Sequence, residues 1–276
     1  MFRSLRERVT LNNRVQMPWV GLGLYKVRPG EEVERVVQQA LELGYHHFDT
    51  AAAYGNEEGV GRAVRNSGVP REDVFITTKV SNDRQGYGST LEAFEESLER
   101  LGTDYIDLYL IHWPVPGKYV DTWRALERLH DEGRIKAIGV SNFEIHHLRD
   151  VMDAGSVTPA VNQIEFHPYL TQGALVSFCK NEGIRPVAWS PLCRGKLLKE
   201  PVIQKIAERH GKNEAQVVLR WDLEKGVATI PKTVREERMR NNANLFDFDL
   251  SQDEVAQIDA LNKNERIGPH PDQIDF

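Results

Sequence analysis

Eight times along this chain a short apolar, β-branched run gives way to an amphipathic stretch. The runs are Val20–Tyr25, His46–Asp49, Val74–Val80, Tyr105–His112, Ile135–Val140, Ala160–Phe166, Arg185–Ser190 and Val227–Pro231. Helical stretches follow over Gly30–Gly44, Glu57–Ser67, Thr90–Leu101, Tyr119–Asp131, Glu144–Asp153, Gln172–Glu182, Asn213–Glu224 and Arg235–Asn244. Several place apolar residues at i, i+3 and i+4, as Val33, Val36, Val37, Ala40 and Leu41 do. Gly44, Gly102, Gly133, Gly183 and Gly226 each follow such a stretch, where a left-handed cap is expected. A repeat of about 30 residues is the size of one strand–helix unit with its return. Eight of them without a linker predict an α/β fold, a parallel closed (β/α)8 TIM barrel, with residues 1–276 forming a single domain. Val9–Leu11 and Val15–Met17 around Asn12-Asn13-Arg14 predict an N-terminal β-hairpin. Pro201–His210 and Ser251–Leu261 predict two extra helices. An open doubly wound sheet would place G-x-G-x-x-G after its first strand. Gly21-Leu-Gly23-Leu-Tyr-Lys lacks the third glycine and Gly59-Val-Gly61 lies in a helical pattern, which favours the barrel.

Composition removes other classes. With 35 Lys+Arg against 41 Asp+Glu the net charge is −6, which offers no basic face for nucleic acid or a membrane surface. The longest apolar runs, such as Ile106–Ile111 with Asp107 inside it, fall far short of the ~20 residues of a membrane span. Met1–Arg8 is charged with no apolar stretch behind it, so no secretory signal is expected. Cys179 and Cys193 form neither a metal-spacing motif nor a disulfide framework, and a reducing cytoplasm is the simplest location.

In a parallel barrel every strand C-terminus opens onto one face, which carries the site. The second run ends in Asp49, the third near Lys79 and the fourth in His112, while Tyr54 lies in the loop after Asp49. Singly, these read as a helix cap, a rim lysine, a core histidine and a half-buried loop aromatic. Together they describe a chemistry. A tyrosine hydroxyl has a pKa of about 10, and a nearby ammonium favours its phenolate. Asp49 would hold Lys79 charged and His112 would orient a carbonyl oxygen. The set would then protonate that oxygen as hydride reaches the adjoining carbon. No histidine and carboxylate set has the spacing of a hydrolytic metal centre, so no metal is expected. His46 and His47 point to opposite faces of a strand, and His146 and His147 read as two surface residues of an amphipathic helix.

At these residues the chain resembles the aldo-keto reductases. Gly44-Tyr-His-His-Phe-Asp49-Thr-Ala-Ala-Ala-Tyr54-Gly-Asn-Glu-Glu-Gly-Val-Gly61 is similar to the first signature of that family, and Leu108-Tyr-Leu-Ile-His112-Trp-Pro114 to its histidine strand. Ile138–Phe143, Val161–Pro168, Ala188–Leu192 and Ile230–Val234 follow in family order. The chain is most similar to the short prokaryotic and protozoan branch, with its glyoxal/methylglyoxal reductases, prostaglandin F synthases and, less closely, 2,5-diketo-D-gluconate reductases. The resemblance implies Tyr54 as general acid, Lys79 and Asp49 tuning it, and His112 orienting the carbonyl. It implies NADPH as cofactor, with Ser141, Asn142 and Gln163 on the carboxamide, Trp189 stacked on the nicotinamide and Ser190 and Leu192 along the pyrophosphate. Lys232, Thr233, Val234 and Arg238 would take the 2′-phosphate end, and Asn241 and Asn242 the adenine. Barrel phosphate sites form after strands seven and eight, where these residues lie, and two cations near a helix start suggest an anion between them.

Three departures bear on substrate. Ser81 stands where the branch usually has an aromatic, Ala53 where it has a bulky residue, and Cys193-Arg194 replaces a usual Gly-Gln pair. With Tyr25 and Trp113 retained, the expectation is a roomier pocket taking glyoxal- and methylglyoxal-type and bulkier carbonyls in a monomeric cytoplasmic enzyme. The rival readings are a keto-sugar-acid reductase using Lys26 or Arg194, a non-catalytic nucleotide sensor and a metal-dependent hydrolase.

Overall fold

The computed structural model describes residues 4–274; residues 1–3, the head of the charged N-terminus, and 275–276 lie outside them. The predicted hairpin forms from β1 (Arg8–Thr10) and β2 (Gln16–Pro18), with Val9 opposite Met17. Asn13 Nδ2 donates to the Lys136 carbonyl (2.8 Å) and Asn12 Nδ2 to that of Pro159 (3.1 Å), which fastens the hairpin beneath the N-terminal ends of the barrel strands. Val9, Leu11 and Met17 seal the interior against Phe75, Leu108, Val187 and Ile230.

Eight strands then alternate with helices. They are β3 (Leu22–Gly23), β4 (His47–Asp49), β5 (Phe75–Val80), β6 (Ile106–Ile111), β7 (Ile135–Ser141), β8 (Val161–Glu165), β9 (Arg185–Trp189) and β10 (Ala228–Thr229). They pair in chain order and all in parallel. The sheet curls until its edges meet. Val20 bridges Thr229 and Gly23 bridges Lys232, with Gly21 N donating to Thr229 O at 2.9 Å and Thr229 N to Trp19 O at 2.9 Å. The expected barrel is therefore closed, although regular pairing in β3 and β10 is shorter than the runs that predicted them. The seam demands glycine: a Cβ on Gly23 would lie 2.7 Å from the Ile230 carbonyl oxygen.

The helices are α1 (Glu31–Glu42), α2 (Glu57–Asn66), α3 (Tyr87–Leu101), α4 (Tyr119–Asp131), α5 (Ile145–Ala154), α6 (Gly173–Asn181), α7 (Pro201–His210), α8 (Glu214–Glu224), α9 (Glu236–Ala243) and α10 (Gln252–Asp259). Their apolar faces, such as Val33, Val36, Val37, Ala40 and Leu41 of α1, bury a second core layer between the helices and the outer face of the sheet. The five cap glycines all have positive φ, from 60° at Gly102 to 90° at Gly44. Helices α7 and α10 are the two extra ones. Among the described residues, no helix is long and apolar enough to cross a membrane, and both cysteines are buried free thiols.

One local expectation fails. His147 is buried, not at the surface, because its Nδ1 accepts the Glu144 N–H at 3.1 Å as half of the cap of α5. His146 is exposed as expected.

Helices α2 and α3 touch backbone to backbone at Gly61, where a Cβ would lie 1.9 Å from the Leu101 carbonyl oxygen. Gly61→Ala should destabilise the chain by about 1–3 kcal/mol through overpacking. Gly88→Ala, in open space on α3, should be neutral or stabilising by up to about 1 kcal/mol. Urea unfolding of both variants checks the pair.

Candidate active site

The polar residues singled out in the sequence gather at the C-terminal rim. Asp49 ends β4, Lys79 is next to last in β5 and His112 follows β6. Tyr54 closes a short 3-10 turn over Ala52–Tyr54. The Lys79 side chain is completely buried. Its Nζ donates to Asp49 Oδ1 at 2.6 Å and to the Thr50 carbonyl at 2.8 Å, and lies 3.5 Å from the Tyr54 hydroxyl. Burial opposes the ammonium, but Asp49 and Tyr54 more than compensate and hold the Lys79 pKa above its ordinary value.

Tyr54 departs from the sequence expectation. Burial raises its pKa, Asp49 adds to that, and the downward pull of Lys79 does not win. The ammonium is already largely answered by Asp49, so the cost of desolvating a phenolate dominates and the phenol stays protonated. His112 is pushed down to about 3 by burial and then by Lys79, so at neutral pH its imidazole is uncharged and keeps one N–H. Its ring meets that of Tyr54 edge-on, with centroids 5.7 Å apart.

Gln163 reaches further than its sequence motif suggested. Its Nε2 donates to the second oxygen of Asp49 at 2.6 Å. In either direction round the closed sheet, three strands separate β8 from β4, so this bond spans the barrel interior. Asn142 is a second hub, in left-handed backbone with φ 63°. Its Nδ2 donates to the His112 carbonyl and to Ser141 Oγ, both at 3.0 Å, and its Oδ1 accepts the Trp189 indole N–H at 2.7 Å. Ser141, Asn142, Gln163 and Trp189 are thus one connected set.

Further along the rim, Ser190 and Leu192 are half-buried, and Ser190, Cys193 and Arg194 all take positive φ near 50°. Past β10, Lys232 and Arg238 are exposed, and neither has an acidic partner among the described residues. Thr233 is buried, with its hydroxyl accepting the Arg235 N–H; Val234 and Asn241 are half-buried, and Asn242 is buried. Two free cations at the start of α9 have the chemistry of a phosphate seat. On the other side of the mouth, the exposed Tyr25 leans on Tyr54 with ring centroids 5.1 Å apart. Lys26 Nζ lies 5.3 Å from the centre of the Tyr25 ring. Trp113 and Ser81 are half-buried and Ala53 is exposed.

A clamp on the C-terminal segment was not anticipated. Glu165, fully buried at the end of β8, accepts from His167 Nε2 (2.9 Å), Ile267 N (2.6 Å) and Gly268 N (2.9 Å). Burial raises its pKa, but these donors bring it below the ordinary carboxylate value. Gly268 is pressed so close to Trp189 that a Cβ would lie 2.6 Å from the indole. Glu165 and His167 fall within the quoted Val161–Pro168 motif. A carboxylate at the end of a strand with no other charge was the available signal, because such a group needs donors once buried.

The sequence profile described as Aldo/keto reductase family matches residues 20–263. Glyoxal reductase of Bacillus subtilis (strain 168) is 56% identical over 273 residues, covering 99% of each chain. The 9,11-endoperoxide prostaglandin H2 reductase of Trypanosoma cruzi (strain CL Brener) is 52% identical over 269 residues, covering 96% of this chain and 95% of that one. A crystal structure of a Gox0644 mutant in complex with NADPH superposes with a TM-score of 0.94 at 44% identity, covering 98% of each chain.

Removing one member of the buried pair, by Lys79→Met or Asp49→Asn, should destabilise the chain by about 3–5 kcal/mol, and the double variant should recover much of that. Urea midpoints read this directly. His112 is depressed from 6.5 to about 3 on folding. Its contribution is therefore complete above pH 6.5 and lost as pH falls toward 3. Across that window His112→Gln should flatten the stability–pH slope by about 1.4 kcal/mol per pH unit.

Proposed function

The chain belongs to the aldo/keto reductase family, and we propose that it reduces glyoxal- and methylglyoxal-type aldehydes, and bulkier aldehydes and ketones, to alcohols with NADPH. The observation that carries this reading is a protonated phenol, Tyr54, set beside a buried ammonium and a neutral imidazole. A nicotinamide dinucleotide, when bound, supplies the hydride. Everything else falls to side chains of the chain itself. His112 offers a neutral N–H to the carbonyl oxygen and fixes its position. Tyr54 gives its proton to that oxygen as negative charge develops there. Lys79 stabilises the phenolate left behind, since the pull toward ionisation that burial overrides in the resting phenol acts fully once the proton has gone. Asp49 keeps Lys79 charged and in place, and Gln163 keeps Asp49 from turning away.

The rim fits the cofactor. Lys232 and Arg238 would meet the 2′-phosphate, with Thr233 and Val234 beside them and Asn241 and Asn242 toward the adenine. Ser190 and Leu192 would line the pyrophosphate path. Ser141, Asn142 and Gln163 would take the carboxamide, and Trp189 would stack on the ring. Tyr25, Trp113 and Ser81 would line the substrate side, and the short Ser81 leaves room there for larger groups. The same reading takes residues 1–276 as one domain of a cytoplasmic monomer. Lys26 beside Tyr25 gives a keto-sugar-acid substrate its one specific support.

Tyr54→Phe should lower turnover of methylglyoxal by about 10²–10⁴-fold while NADPH binding, followed by fluorescence titration, stays near wild type. Loss of binding, or retained turnover, would overturn the assignment of Tyr54. Replacing both Lys232 and Arg238 with Ala should raise the KM for NADPH by about tenfold or more and leave that for NADH little changed. Ser81→Trp should depress kcat/KM for an aryl ketone more than for methylglyoxal.

A further inference from the structure

At the start of α5, among residues the proposed chemistry does not use, two imidazoles and a carboxylate converge. His146 and His147 lie side by side with ring centroids 3.9 Å apart. Their Nε2 atoms face the same oxygen of Asp272, at 3.0 Å and 3.4 Å. The donor atoms of all three residues fall within 4.8 Å of one another. Successive residues of a regular helix point about 100° apart, so this convergence depends on the neighbours that hold the His147 ring. The His147 ring is folded back onto Glu144 N and wedged against Phe143 and Tyr119. A tetrahedral zinc ion about 2.0–2.1 Å from each ligand sets its donors about 3.3–3.4 Å apart, close to the two spacings found here.

We propose that His146, His147 and Asp272 form a binding site for a divalent transition metal, zinc foremost, that fastens the C-terminal segment to α5. Two imidazoles with one carboxylate suit zinc, whereas magnesium and calcium favour sets made of oxygen alone. A fourth position is left for water. Asp150, which accepts a hydrogen bond from the Tyr119 hydroxyl, adds negative charge nearby, and His270 is the third imidazole in the neighbourhood. Binding has a cost. Because Nδ1 accepts the Glu144 N–H, the ring proton sits on Nε2; metal can take Nε2 only when that proton moves to Nδ1 and the cap bond is given up. The site should therefore be weaker than a closed structural zinc centre. Its consequence lies elsewhere on the same segment. Asp272 follows Ile267 and Gly268, both held by Glu165, and Gly268 lies against Trp189, so bound metal would fix that wall of the mouth.

The test is calorimetric titration of tag-free, chelator-treated full-length protein with zinc chloride and, separately, magnesium chloride. One zinc per chain and no magnesium binding are expected. Asp272→Asn and His146→Ala should each weaken zinc binding by about tenfold or more, while circular dichroism and reductase turnover without added metal stay unchanged. Zinc should also slow proteolytic removal of the C-terminal segment in the wild type but not in Asp272→Asn. The proposal is overturned if zinc in excess gives no saturable heat, or if both variants bind it like the wild type.

Discussion

A lysine ammonium with no exposure to water is the demand that organises this barrel. Lys79 sits where solvation is lost, and an unpaired charge there would cost several kcal/mol. Its surroundings answer each of its protons in turn: Asp49, the Thr50 carbonyl and the Tyr54 hydroxyl. The register of two strands makes this possible. Asp49 pairs with Thr77, and Lys79, two residues further on, returns to the same face of β5. Gln163 then completes the carboxylate from the opposite wall. Parallel strands present their ends on one rim, so a pair joined in this way can be both buried and within reach of a ligand.

Much of this architecture was legible in the order of residues. Helical periodicity and terminal glycines located the helices because both are local. The hairpin was visible in Asn12-Asn13-Arg14, whose Arg14 takes φ 71°. Strand ends pointed to Asp49, Lys79 and His112 because a parallel barrel admits chemistry only there. What escaped was non-local or a balance of opposed forces. The Gln163–Asp49 bond joins residues 114 positions apart, and the contacts of Glu165 with Ile267 and Gly268 span more than 100. The direction of the Tyr54 shift depends on whether burial or Lys79 is stronger, and no motif states that. His147 was misplaced because its capping role depends on the turn that precedes it, not on its position in an amphipathic pattern.

Asn142 shows how the two halves of the rim communicate. Its left-handed backbone turns the side chain so that one amide touches both the His112 carbonyl and the Trp189 indole. Trp189 is in turn confined by Gly268 and the Glu165 clamp. A displacement of the C-terminal segment therefore has a short route, through an indole and an amide, to the backbone beside the neutral imidazole. The net charge of −6 is likewise uninformative about this face, where Lys232 and Arg238 stand without acidic partners among the described residues.

The seam between the first and last barrel strands carries a kinetic consequence. Trp19, Gly21 and Gly23 find Thr229, Pro231 and Lys232 across some 210 residues of chain. The loop-closure entropy of so long a separation must be met before those few hydrogen bonds return anything, which makes the seam a natural late event in folding. Lys232 is itself a seam residue. An anion gathered there binds only chains whose ring is complete, so such a ligand would act as a thermodynamic latch, raising apparent stability in proportion to the logarithm of its concentration.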